Sequence, residues 1–327
     1  MSGRLEVLRL LADGGEHSGE ALAAELAISR AAVWKRVQQL GQWGLEVHAV
    51  AGRGYRLARP LDLLEREAVL AGLPDMVRDR LRNLALADEV DSTNEALLAV
   101  GDLPPGRFDA CLAEFQHRGR GRRGRTWLAP FASGICLSVG WCFVEAPRQL
   151  SALSLAAGVA VRRALAGSGF DDVNLKWPND ILHGGGKLGG ILCELRAEAA
   201  GPAYVVIGVG LNVDLPAGAA KAIGATGLPP VSLAGMGPRP SRSRLAAALL
   251  GQLALALVEF EQAGFAPFHD EWRAADALLG RPVRLQHGER AVDGLARGID
   301  ADGALLFDAG NGVERVVSGE ISLRPAA

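Results

Sequence analysis

Residues Gly119-Arg120-Gly121-Arg122-Arg123-Gly124 fit the pattern G-x-G-x-x-G, yet the stretch after them excludes a dinucleotide-binding fold. In that fold the glycine turn leads from a strand into a helix that packs back on it. Here it leads to Trp127-Leu128-Ala129-Pro130 and then to a strand-like run beginning near Gly134. The loop therefore joins strand to strand. It also carries Arg118, Arg120, Arg122, Arg123 and Arg125. Guanidinium groups crowded on one flexible loop repel each other, so the loop is expected to order around a polyphosphate.

Three further stretches carry chemistry. Lys176-Trp177-Pro178-Asn179-Asp180 is followed by Gly184-Gly185-Gly186-Lys187-Leu188-Gly189-Gly190, which reads as a hairpin turning on glycines. Lys187 at the start of the return strand is placed to bridge a carboxylate and a phosphate, and Asp180 across the hairpin to orient a cation. Asp91-Ser92-Thr93-Asn94-Glu95 precedes a helix, where hydroxyl and amide groups make donors to a polar ligand. Ile207-Gly208-Val209-Gly210-Leu211-Asn212 is a strand whose glycines permit close backbone approach. Taken singly, the same stretches also suit a solvated basic loop, a surface hairpin lysine and a plain helix cap.

The first segment is helical. Leu5, Val7, Leu8, Leu10 and Leu11 form an apolar face. Ser18 is an N-cap for a second helix, and Ser29 starts a third, over residues 30–40. Two short helices about a tight turn make a helix-turn-helix, and the alternating residues 45–57 about Gly52-Arg53-Gly54 make a two-stranded wing. In such a unit Ser18, Ser29, Arg30, Lys35 and Arg36 lie nearest DNA, with Arg53 and Arg56 on the wing toward phosphate or the minor groove. A structural appendage with no DNA role remains the alternative. Residues 61–72 read as one linking helix.

The middle of the chain alternates strands (110–115, 134–141, 173–176, 189–195, 204–213) with helices (94–100, 150–167, 242–264), giving an α/β or α+β unit. Residues 214–240, rich in Gly, Pro and Ala, read as a functional lid or a disordered loop. Short strands split by glycine turns from about residue 276 read as a small β-barrel.

Bulk properties narrow the classes. The formal net charge of −2 gives no global basic field, so any DNA contact must come from a local patch. Cys111, Cys136, Cys142 and Cys193 form no C-x-x-C pair and sit in apolar stretches, as buried free thiols in a reducing cytoplasm do. The N-terminus carries no export signal. The longest apolar runs, 150–161 and 245–258, fall short of the ~20 residues a membrane span needs and read as buried helices.

Together the motifs resemble the bifunctional biotin–protein ligase and biotin-operon repressor family of bacteria. Residues 116–127 resemble its biotinyl-adenylate loop, 176–180 with 187–190 its lysine hairpin, and 91–94 its biotin-head segment. Ser318-Gly319-Glu320-Ile321-Ser322-Leu323-Arg324 resembles its C-terminal signature, and the N-terminal segment its repressor domain. The resemblance implies an α+β chain: a winged helix-turn-helix (1–62), a linker helix (63–83), a mixed α/β catalytic domain of the biotin/lipoate ligase type (84–275) and a small SH3-like barrel (276–327). It implies that Ser92, Thr93, Asn94, Gln116, Gly119, Arg120, Gly121, Arg122, Arg123, Trp127, Lys187, Gly189, Asn212 and Arg324 hold biotin or its adenylate. Lys187, Asp180 and Arg122 are the implied catalytic residues. ATP with Mg²⁺ and biotin are the implied small molecules, with no metal site of the protein's own. The implied partners are the biotin carboxyl carrier protein of acetyl-CoA carboxylase, operator DNA and a second copy of the chain, with no membrane. The family often covers adenine with a tryptophan; around 227–231 this chain has none, so an aliphatic residue is expected there. A ligase whose helix-turn-helix no longer binds DNA, a lipoate or octanoate ligase, and a transcription factor that only senses biotin are the alternatives.

Overall fold

A computed structural model gives the fold of residues 3–101, 103–145, 147, 149–197, 203–224, 228–287 and 290–323. The N-terminal helices are α1 (Gly3–Leu11), α2 (Gly19–Glu25) and α3 (Arg30–Leu40), and the wing is β1 (Val47–Val50) and β2 (Gly54–Leu57). Ser18 Oγ accepts from the Ala21 amide at 3.0 Å and Ser29 Oγ from the Ala32 amide at 3.2 Å, so both serines are N-caps. Leu5, Val7, Leu8 and Leu11 bury against Val33, Val37, Leu40 and Trp43.

In place of one linking helix there are two short ones, α4 (Arg66–Ala71) and α5 (Asp75–Arg78). Gly72 ends the first, and Pro74, which has no N–H to continue a helical ladder, sits at the N-cap of the second. Strand β3 (Leu81–Val90) comes next, which the sequence reading missed. It lies at a sheet edge and is only half-buried, so it lacks the apolar run of the inner strands.

The central unit continues with α6 (Thr93–Val100), β4 (Phe108–Gln116), β5 (Gly134–Phe143), α7 (Leu153–Ala166), β6 (Asn174–Lys176), β7 (Asp180–His183), β8 (Gly186–Ala197), β9 (Ala203–Asn212), α8 (Ala217–Gly224), α9 (Arg242–Ala263) and α10 (Ala266–Ala274). Its sheet runs β3-β4-β5-β9-β8-β7-β6, with β3 and β4 parallel and every other pair antiparallel. α7 and α9 pack together on one face. α9 is long and apolar enough to cross a membrane by length and composition. In this fold it is a core helix, and the buried Arg242 at its start donates to the Gly134 carbonyl and pairs with Glu114 at 2.7 Å.

The last strands, β10 (Pro282–His287), β11 (Arg290–Ile299), β12 (Leu305–Asp308), β13 (Val313–Val316) and β14 (Glu320–Leu323), form a separate antiparallel sheet in the order β13-β12-β11-β10-β14. It is tied to the central unit where Ala277 N donates to Leu175 O at 2.8 Å and Trp177 Nε1 to Gly303 O at 3.2 Å.

The helix-turn-helix unit docks on the two stems of the arginine loop. Trp43 stacks on Phe131, beyond the loop's exit, with ring centroids 4.6 Å apart. The Glu89 carboxylate accepts from Trp43 Nε1 at 3.0 Å, faces His117 Nε2 at the loop's entry at 3.0 Å, and pairs with Arg4.

Candidate active site

Strand β9 shows how the sheet makes a site. Residues alternate across a strand with period two. Ala203, Val205, Ile207, Val209 and Leu211 therefore join the core under α7 and α9. Tyr204 and Val206 turn the other way and pack in the cluster with Leu97 of α6. Beyond the reach of α6 that same face presents Gly208, Gly210 and Asn212, which line a cleft of about 360 Å³. The glycines are required there. A Cβ on Gly208 would stand 3.0 Å from Asn94 Cγ, and one on Gly210 2.7 Å from Trp127 Cζ2 and Nε1. The missing side chains let the Asn94 amide and the Trp127 indole lie directly on the strand.

One end of the cleft is a closed polar network. Thr93 donates to Gln116 Oε1 through both its amide (2.9 Å) and its hydroxyl (3.1 Å). Ser138 Oγ lies 2.7 Å from Thr93 Oγ1 and 2.5 Å from Asn94 Oδ1. Asn94 Nδ2 donates to Glu194 at 2.8 Å. Ser92, Thr93 and Asn94 are nearly fully buried, so their donors and acceptors face each other and the cleft rather than bulk water. Ser138 and Glu194 were missed by the sequence reading. The signal for Ser138 was its polar place in the otherwise apolar strand β5; nothing in the sequence marks Glu194.

The other end is cationic. The β6–β7 register sets Lys176 opposite Asp180, and β7–β8 brings Lys187 to the same carboxylate. Lys176 Nζ is 2.6 Å from Asp180 Oδ2, and Lys187 Nζ is 2.5 Å from Oδ1. Burial pushes the Asp180 carboxyl upward, but the charges of Lys176 and Lys187 prevail and hold it below its ordinary range. Asp180 is thus a clamp that fixes two ammonium groups, and a weak base. Lys176 is a further residue the sequence reading left unassigned.

The arginine loop differs from its expectation. It is a hydrogen-bonded hairpin: Trp127 N donates to Gly119 O at 2.8 Å and Gly121 N to Arg125 O at 2.7 Å. Carboxylates relieve the crowding of its arginines. Arg118 pairs with Asp91 at 3.3 Å, and Arg120 with Glu194 at 3.0 Å and Glu95 at 3.5 Å. Arg120, Gly121, Arg122 and Trp127 line the cleft. Gly119, Arg123 and Gly189 are not among its lining residues. Gly119 closes the hairpin, where a Cβ would collide with the Trp127 carbonyl. Arg123 is exposed at the tip with a left-handed φ of 56°. Gly189 sits in the β8–β9 ladder, where a Cβ would be 2.7 Å from Gly210 O.

Residues 214–240 are partly built onto the site. Lys187 N donates to Pro229 O at 2.8 Å, Val231 N to Lys187 O at 3.0 Å, and Asn212 Nδ2 to both Lys187 O (3.3 Å) and Val231 O (3.1 Å). Ile223 and Leu228 of this segment line the cleft. So do Gln286, Ile321 and Ser322 of the C-terminal sheet. Arg324 lies outside the described residues.

On the helix-turn-helix, Arg30, Lys35, Arg53 and Arg56 are exposed. Arg30 pairs with Glu20 at 3.0 Å and Arg53 with Glu16 at 3.1 Å. Arg36 turns away toward α1, where it meets Glu6 at 3.1 Å.

A polar nest, a tryptophan wall and a two-lysine clamp in one cleft, behind a helix-turn-helix, define the class: an acyl-activating ligase with a DNA-binding module. Profile comparison is consistent in all three parts. Residues 87–212 match the Biotin/lipoate A/B protein ligase family, residues 4–56 an HTH domain, and residues 278–324 the Biotin protein ligase C terminal domain. The chain is 39% identical to the Bifunctional ligase/repressor BirA of Escherichia coli (strain K12) over 98% of its own length and 97% of the relative's. It is 38% identical to the Biotin–[acetyl-CoA-carboxylase] ligase of Mycobacterium tuberculosis, over 73% of this chain and 88% of that one. Among solved structures, the biotin protein ligase from Aquifex aeolicus in complex with biotin and ATP superposes with a TM-score of 0.61 at 28% identity, covering 75% of this chain and all of that one. The chain belongs to the biotin/lipoate A/B protein ligase family.

Proposed function

We propose that this protein is an ATP-dependent biotin–protein ligase that forms biotinyl-5'-AMP and passes biotin to a lysine of a carrier protein, and that it is also a biotin-responsive transcriptional repressor. The observation that carries the ligase reading is the polarity of the cleft. It offers a network of hydroxyls and amides at one end, the Trp127 wall between, and two lysines at the other. A ligand with an uncharged polar ring, an apolar chain and a terminal carboxylate matches it, and biotin is such a molecule.

In the first half-reaction the biotin carboxylate attacks the α-phosphorus of ATP, pyrophosphate leaves, and a mixed anhydride forms. Both reactants are anions, so their approach needs fixed positive charge. Lys187 supplies it where carboxylate and α-phosphate meet, Asp180 holds that ammonium in place, and Arg122 completes the field. An amine of the acceptor lysine then attacks the anhydride carbonyl, giving an amide and releasing AMP. The Asp180 carboxylate is already engaged by two ammonium groups. Among the described residues no cluster of metal-ligating side chains occurs. In this reading Mg²⁺ would enter with ATP and neutralise phosphate charge there. Ile223 and Leu228, which line the cleft, would in this reading serve as the aliphatic cover for the adenine.

For the second activity, α3 enters the major groove, with Arg53 and Arg56 of the wing on the backbone. The reading includes a homodimer on a palindromic operator, a cytoplasmic location, and the carrier subunit of acetyl-CoA carboxylase as acceptor. It keeps the layout 1–62, 63–83, 84–275 and 276–327. Incubating the protein with ATP and biotin, lipoate or octanoate tests the reaction by pyrophosphate release. Release with biotin alone is expected; release with lipoate and not biotin overturns the assignment. A Lys187→Ala protein that forms biotinyl-AMP at near wild-type rate overturns the role of Lys187.

A further inference from the structure

One large side chain on the helix-turn-helix is explained neither by folding nor by the motifs above. Trp34 lies on α3 and is 56% exposed. The inward side of α3 is already filled by Val33, Val37 and Leu40, so the domain core does not use it. Among the described residues, no ring, cation or hydrogen-bond partner meets it. Its exposed neighbours are Arg30, Ala31, Lys35 and Gln38, which share one stripe of the helix at the 3.6-residue period. Lys35 has no ion-pair partner among the described residues. Among the described residues Arg30 is held only by a solvent-exposed pair with Glu20, which exchanges partners at little cost. The stripe is thus an indole beside a small residue, flanked by two cations and an amide. That is the chemistry of double-helical DNA: phosphates for the cations, base edges for the amide, and thymine 5-methyl groups for an apolar face.

We propose that Trp34 is a sequence-determining side chain of the DNA-binding module, which sets its indole against thymine methyl groups in the major groove while Lys35 and Arg30 engage the backbone. The small Ala31, one turn earlier, leaves room for the groove wall beside the indole. The proposal rests on the DNA-binding reading above and adds what the recognition helix reads.

The test uses the full-length protein and a duplex obtained by selection from a random-sequence library. Replacing thymine by deoxyuridine at single positions removes only the 5-methyl group and leaves base pairing and phosphates unchanged. At one or more positions the wild-type protein is expected to lose about tenfold in affinity on this replacement. Trp34→Ala should bind the thymine duplex about 10- to 100-fold more weakly and be indifferent to uracil at those positions, and Trp34→Phe should fall between. Biotin-dependent pyrophosphate release should be unchanged in both variants, which shows that they fold. If Trp34→Ala selects the same sequence with the same affinity, or if uracil costs both proteins equally, the proposal is overturned while DNA binding stands. If Trp34→Ala alters only the oligomeric state in sedimentation, the indole belongs to a protein interface and the proposal is likewise overturned. If the wild-type protein, with biotin and ATP present, binds no duplex even at low salt, the DNA-binding reading fails and takes the proposal with it.

Discussion

Gly210→Ala is the substitution that most directly probes how the cleft is shaped. The new methyl carbon would stand 2.7 Å from Trp127 Cζ2 and Nε1. Non-bonded carbons rest at about 3.5–4.0 Å, so the indole must retreat by roughly 1 Å. Its backbone is not free to follow, because Trp127 N is held by Gly119 O at 2.8 Å and the strand under it by the β5–β9 and β8–β9 ladders. Overpacking of this kind costs about 1–3 kcal/mol, and two sinks exist for it. The sheet takes the strain, and the melting temperature falls; or the ring tips into the cleft, and the ligand has to displace it. With β9 locked between two strands, the ring is the softer element. About 1–2 kcal/mol should therefore appear as a rise of roughly 5- to 30-fold in the biotin KM for pyrophosphate release, with a small loss of melting temperature. Gly41→Ala is the control, since a Cβ there meets open space and the residue lies outside the cleft. A Gly210→Ala protein with wild-type KM and wild-type melting temperature refutes the claim that the bare strand seats the indole.

Charge supplies two further tests. Asp180→Asn leaves Lys176 and Lys187 facing a neutral amide. Breaking a buried pair costs about 3–5 kcal/mol, and the partial exposure of Lys187 reduces that toward about 1–3 kcal/mol. Pyrophosphate release should slow by about 10- to 100-fold at saturating biotin; a rate within about threefold of wild type removes Asp180 from the positioning role. Asp276, at the joint with the C-terminal sheet, is pushed up by burial to about 6 against an ordinary 3.8. The folded state binds its proton more tightly than the unfolded chain, so its contribution to stability is greatest below pH 3.8 and is lost as pH rises through about 6. Asp276→Asn should therefore melt higher than wild type at about pH 7–8, by up to about 3 kcal/mol of stability, with the advantage vanishing near about pH 4. Calorimetric scans across that range decide it, and a pH-independent difference between the two proteins contradicts the linkage.

The parts of the fold visible in the sequence are those encoded by near neighbours. Ser18 and Ser29 announce helix starts because a cap is a contact three residues long. The alternation of β9 fixes which side chains share a face, since period two is a property of the strand alone. β3 escaped notice because a half-buried edge strand carries no continuous apolar run. The single linker helix was read through Gly72 and Pro74, where the backbone stops it.

The site was legible to the same depth. Lys187, Asp180 and the polar triplet Ser92-Thr93-Asn94 were marked by their local settings. Strand order and register decided the rest. They set Lys176 and Lys187 on one carboxylate and Glu194 between Asn94 and Arg120, while docking of the helix-turn-helix unit brings Trp43 onto Phe131 at the foot of the arginine loop. In that loop, which by itself reads as mutually repelling arginines, Arg118 and Arg120 are paired by Asp91, Glu95 and Glu194 from other elements. Caps, turns and alternation are written over a few residues, so Ser92-Thr93-Asn94 and Lys187 can be picked out along the chain. Which charges meet cannot be read the same way, because those partners lie on different strands and loops, and strand order and register set their distances.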